Sequence, residues 1–149
     1  SPCAPKYITV EKVLNAGTHG LGFIMSILGS ILLMTEASRE GKSAEHFYAC
    51  AVFSFSLMFL YLASTLFHRR ESMIFSDILC IADHCAIYIL IAGSYTPFML
   101  ISMHGSSLGQ VVIITEWVAA LFGCMFSISR YTYTNSNVGQ AICVLIVII

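Results

Sequence analysis

Ser64 and His68 stand four residues apart at the end of a long uncharged apolar run, and Asp83 and His84 open the next one. An imidazole and a carboxylate are the groups that hold a metal ion or move a proton near neutral pH. A third polar group precedes them: Glu11, Asn15, Thr18 and His19 lie at the opening of the first apolar run. Glu11, Asn15 and His19 are spaced by four, so a helix that carries them sets all three on one stripe. If the runs cross a membrane in alternating directions, the start of the first, the end of the second and the start of the third come to one surface. Groups as far apart in the chain as Glu11 and His84 then share a single layer.

The elements that would position them are read from composition and run length. Hydrophobic residues make up 58% of the 149 and charged residues 10%, against roughly 25% charged in soluble domains. A helix needs about 20 apolar residues to cross the hydrocarbon layer. No formal charge lies between Lys12 and Glu36, nor between Glu45 and Arg69. A third run follows Asp83, and a fourth carries Glu116 inside it. Spans are expected near 15–35, 47–67, 80–101 and 108–129, with a fifth begun at 138–149. Strands with open edges would leave backbone groups unsatisfied in lipid, so the expected class is all-α: a polytopic transmembrane helix bundle in one domain. A run still apolar at Ile149 and a start at Ser1 rather than Met read as a fragment of a longer chain.

Lys6, Lys12, Arg69, Arg70 and Arg130 fall on the N-terminal side of this arrangement, and Arg39 and Lys42 on the other. That imbalance puts the N-terminus, and the polar layer with it, in the cytoplasm. The lipid bilayer is the expected partner. No basic run or acidic tail suggests a nucleic acid.

Taken singly, each polar residue has a plainer reading. His68 beside Arg69 and Arg70 suits an interfacial group reaching toward headgroups, and Asp83 suits a charge that complements a helix N-terminus. Their convergence on one side sets a functional reading level with the plainer one. Glu116, next to Trp117, suits an interfacial or interhelical pair. Gly22, Gly29 and Ser30 suit close helix approach, and Gly93, Ser94, Thr96 and Pro97 suit a bend or end of the third span. The six cysteines show no Cys-x-x-Cys spacing.

The segment EKVLNAGTHGLG, Glu11 to Gly22, resembles the opening of the hemolysin III proteins, which belong with the progestin and adipoQ receptors. Ser64-Thr-Leu-Phe-His68 is similar to the Ser-x-x-x-His that ends their second span. DHCAIYILIAGSYTPF, Asp83 to Phe98, is similar to the signature of their third. The resemblance implies seven helices, of which this chain would hold four and the start of a fifth. It also implies a zinc site in the cytoplasmic half, with His68 as a ligand, Asp83 acting on the zinc-bound water and Ser64 beside the metal. Two further ligands would come from a His-x-x-x-His pair in the last span. No His follows His104, so Zn(2+) is expected only with C-terminal ligands that this chain lacks. Glu11, Asn15, Thr18, His19 and His84 carry no role that the resemblance assigns. The function implied is hydrolysis of a ceramide-like lipid amide. The alternatives are a receptor for a steroid or adipokine-like ligand and, last, a haemolytic pore.

Overall fold

A computed structural model describes residues 9–69 and 76–132. The expected run at 138–149, together with Lys6 and Arg70, lies outside the described residues. Four helices follow one another: α1 (Thr9–Ala37), α2 (Ala44–Arg69), α3 (Ser76–Pro97) and α4 (Ser107–Thr132). Each is long and apolar enough to span a bilayer, over Val10–Ala37, Ala44–Arg69, Ile78–Ser102 and Ser107–Arg130. The architecture is an all-α transmembrane bundle.

The helix boundaries have local causes. After α1, Gly41 takes a positive φ of 86° in the turn, where a side chain would be strained. The Ser43 hydroxyl then accepts a hydrogen bond from the backbone N–H of His46 at 3.2 Å, capping α2. At the other end of the third span, Pro97 has no N–H to give to the helix ladder, and the chain continues as one π-helical turn, Phe98–Ser102. The α-helix thus ends where Gly93, Ser94, Thr96 and Pro97 suggested, while the span itself runs on to Ser102. Gly105, with φ at 75°, makes the reversal into α4.

Helices adjacent in sequence are adjacent in space: α1 packs on α2, α2 on α3 and α3 on α4. Their interfaces are built from small residues. Among the described residues the buried side chains are mostly small, including Ala49, Ala86, Ala92, Ser56, Ser64 and Thr96. Bulky Leu, Ile, Val and Phe side chains such as Leu32, Phe55, Leu121 and Phe122 point outward. This inverts the order of a soluble core, because lipid tails solvate Leu as well as protein does and close backbone approach drives association.

Three glycines set the register. A methyl at Gly22 would stand 2.5 Å from the Tyr61 ring, one at Gly123 would stand 2.7 Å from the Tyr88 ring, and one at Gly93 would run into the Ser56 hydroxyl. Gly29 meets nothing among the described residues, so the close approach expected there is not made by this part of the fold. Between α3 and α4, the Trp117 indole N–H donates to Thr96 Oγ1 at 3.1 Å. Thr96 passes its own hydroxyl proton to the Ala92 carbonyl at 2.8 Å. It is Trp117, the neighbour of the half-buried Glu116, that makes the interhelical bond at this level.

Two outcomes follow for stability. Gly93→Ala should lower the thermal midpoint of the detergent-purified protein. The overlap with Ser56 costs about 1–3 kcal/mol, more than the ~1 kcal/mol that Ala gains over Gly in a helix. A Ser56→Gly change in the same chain should recover part of the loss, and additive losses would refute the contact. Thr96→Val should cost about 0.6 kcal/mol and shift the fluorescence of Trp117, the chain's single tryptophan.

Candidate functional site

The register of α1 on α2 brings two imidazoles together. Gly20 lies against the Thr65 methyl, at 3.7 Å from a Cβ built there, and Gly22 admits the Tyr61 ring. Between and beside these contacts, the rings of His19 and His68 stand 5.6 Å apart, centre to centre, tilted by 45°. The Tyr61 ring meets His19 edge-on at 6.1 Å, and Phe67 meets His68 at 5.1 Å. Thr65 turns its hydroxyl to the Tyr61 carbonyl at 2.6 Å, leaving its methyl for α1.

Both rings are half-buried, and His19 Nδ1 is fully enclosed with no hydrogen-bond partner among the described residues. A buried polar nitrogen without a partner costs about 1–3 kcal/mol, and native structures contain few of them.

Asp83 comes to the same end of the bundle on the next helix. Gly93 sits against Ser56, and α3 runs antiparallel to α2, so ten residues back along α3 corresponds to ten onward along α2, at Leu66. At 1.5 Å of rise per residue, Asp83 and His68 then differ in depth by about 3 Å. The acid is half-buried and shares the level of the imidazole pair without belonging to its ring contact. Ser64, one turn before His68, is buried at 4% exposure.

The remaining expected residues fall elsewhere. Glu11 is exposed at the start of α1 and Asn15 is half-buried, so the stripe they form with His19 leads away from the pair toward the membrane surface. Thr18 is exposed and spends its hydroxyl on its own helix, 2.9 Å from the Leu14 carbonyl and 3.1 Å from that of Asn15. His84 is exposed and bonds the Cys80 carbonyl through Nδ1 at 2.7 Å. Adjacent residues on a helix diverge by about 100°, so His84 does not follow Asp83.

Tyr61 is the residue that sequence reasoning passed over. Its spacing showed only that it shares a face of α2 with Thr65 and His68, at i, i+4 and i+7, and not that it meets His19. Cys85 and Cys124 also meet unannounced, with Cys124 Sγ 3.8 Å from the Cys85 carbonyl and Cys85 Sγ 4.0 Å from the Cys124 carbonyl. Among the described residues no three His, Cys, Asp or Glu side chains gather as a metal cluster.

The sequence pattern of the family described as "Haemolysin-III related" matches residues 7–149. The chain is 42% identical over 118 residues to Hemolysin-3 of Bacillus cereus, covering 79% of this chain and 53% of that protein. It is likewise 42% identical over 118 residues to the Hemolysin-3 homolog of Bacillus subtilis (strain 168), covering 79% of this chain and 54% of the other. The chain thus spans about half the length of these curated relatives. No solved structure matches it.

Burial separates two of the residues in a measurable way. Ser64→Leu should destabilise the protein by about 1–3 kcal/mol, since bulk is added at a closed helix interface. His84→Gln should change stability by less than about 1 kcal/mol. Chemical denaturation in detergent checks both, and the reverse order would place Ser64 outside the interface.

Proposed function

Because the chain belongs to the haemolysin-III related family and is part of an integral, multi-pass membrane protein, we propose that it carries one half of a zinc-dependent lipid amidohydrolase site. The observation that supports this most is the arrival of His68 and Asp83 at one depth on neighbouring helices. The residue types suit zinc in kind: an imidazole, a carboxylate at a similar depth on the next helix, and a buried ring nitrogen of His19 that lacks a partner among the described residues.

His68 holds the metal in this reading, and Ser64 lies one turn away. A zinc ion held there would supply an activated water and a polarised carbonyl. Asp83 accepts the proton from the attacking water and returns it to the leaving amine. A ceramide-like amide fits such a site, because its acyl chains remain among the helices while its polar bond stays at the membrane surface. The site lies on the cytoplasmic side, by the excess of Lys and Arg at that end. The remaining ligands belong to the portion of the family's length that this chain does not span.

A second reading, a receptor for an apolar ligand of steroid type, is favoured by a groove at the opposite end. It has a volume of about 380 Å³ and is lined by residues including Leu33, Cys50, Phe53 and Phe98. A pore is disfavoured, because Ser54, Ser56 and Ser64 are buried in helix contacts rather than lining a path.

Incubation of the full-length protein with labelled ceramide separates the readings. Release of fatty acid that falls by about 100- to 10,000-fold in Asp83→Ala supports the hydrolase. Turnover unchanged in that variant removes Asp83 from the mechanism. Saturable steroid binding without turnover supports the receptor instead.

A further inference from the structure

We infer that the groove at the end of the bundle away from His68 and Asp83 holds one acyl chain of a zwitterionic phospholipid from the surrounding leaflet, with the lipid's phosphate on Lys42 and His46. The inference does not depend on the zinc reading, and it gives the groove a different occupant from the receptor reading.

The direction of the groove is the first observation. Gly93 sits against Ser56 where α3 runs antiparallel to α2, so Ser102 comes to the level of Phe47, beside His46, and Ser94 to that of Phe55. The α2 wall runs from His46 through Cys50 to Phe53, one face at i, i+4 and i+7. Seven residues at 1.5 Å of rise make that wall about 10 Å tall. The groove therefore follows the helix axes, as lipid chains do, with His46 and Ser102 at its mouth and Phe53 and Ser94 at its floor. Its volume of about 380 Å³ lies in the range of small-ligand sites. Phe98 belongs to the facing wall and is 69% exposed, which leaves that side open to a chain arriving from the bilayer.

The charges at the mouth are the second observation. Moving an alkyl chain from the bilayer into an apolar groove gains little, since both surroundings are apolar. The headgroup must supply the preference. At this end Arg39 is engaged with Glu36 at 3.0 Å, and His104 with Glu45 at 3.0 Å. Lys42 has no ion pair among the described residues, and its charge acts on the Cys50 thiol in the groove wall. An ammonium together with the His46 ring and the Ser102 hydroxyl supplies donors for a phosphate. Glu40 and Glu45 flank these groups in sequence and offer carboxylates to the cationic part of an ethanolamine or choline headgroup. A neutral steroid leaves both signs unused, and a purely anionic lipid meets the carboxylates unfavourably.

The test uses the full-length protein in a neutral detergent and phosphatidylethanolamine carrying a photoreactive diazirine in its chain. Labelled peptides are mapped by mass spectrometry while the lipid is titrated. Labelling should saturate at one lipid per chain and fall on the peptides that carry Phe53 and Phe98. Unlabelled phosphatidylethanolamine should compete better than phosphatidylglycerol or a neutral steroid. Lys42→Gln should weaken binding about 5-fold, the worth of one cation at a membrane surface. Ser102→Trp, which obstructs the mouth, should weaken it about 10-fold. Both positions are exposed, so each variant should melt at the wild-type temperature when no lipid is added. Labelling that falls outside the groove, or that is unchanged in Lys42→Gln, overturns the inference. Stronger competition by the steroid or by phosphatidylglycerol overturns it as well, the steroid result in favour of the receptor reading. Absence of saturable labelling does the same, because the rest of the full-length chain then fills the groove.

Discussion

Everything in this fold depends on how closely the helix backbones approach. In hydrocarbon no solvent drives apolar side chains together, and association rests on contact between small residues. The chain meets that condition with Gly22 under Tyr61, Gly93 under Ser56 and Gly123 under Tyr88. Each places a side chain where a methyl would collide, so each also fixes how one helix slides against the next. Depth in the membrane, and with it the company that every polar residue keeps, follows from those three contacts.

The imidazole pair is a consequence. His19 and His68 are separated by most of two helices in sequence, yet the Gly20 and Gly22 contacts leave their rings little choice but to meet. The same sliding constraint on the next interface brings Asp83 to that depth. At the opposite end the order is different: a proline, a π-helical turn and the Trp117–Thr96 hydrogen bond hold α3 and α4 together. A π-turn widens the helix locally, and the apolar groove opens beside it, with Phe98 and Ile101 of the turn in its wall. One end of the bundle thus brings together His19, His68 and Asp83, and the other holds a groove walled mainly by apolar side chains.

The match to the haemolysin-III related family runs over residues 7–149 and so takes in the motifs with the helices that carry them. Those motifs mix residues with different duties. In EKVLNAGTHGLG, Gly20 and Gly22 serve packing, Thr18 serves its own helix, and His19 alone reaches the neighbouring imidazole. In the pair Asp83-His84, the acid is half-buried, while His84 is exposed and bonded to its own helix. A shared motif is therefore a statement about a segment, and the division of labour inside it is decided by helical phase.

Run length and the absence of charge determined the number and order of the spans described, because a backbone in lipid must close its own hydrogen bonds and the helix is the only single-segment way to do so. The side on which these polar residues gather was likewise legible, since antiparallel crossing alone assigns Glu11 and His19, Ser64 and His68, and Asp83 to one side. Azimuth was not. A helix turns about 100° per residue, and in apolar spans with bulky groups all round no hydrophobic stripe announces the inner face. Which of His19, Thr18 and His84 meets a partner therefore waited on tertiary contact. So did the role of Tyr61 and the silence of Gly29, because the fit between one helix's missing side chain and another's ring is a property of two surfaces, and neither surface alone contains it.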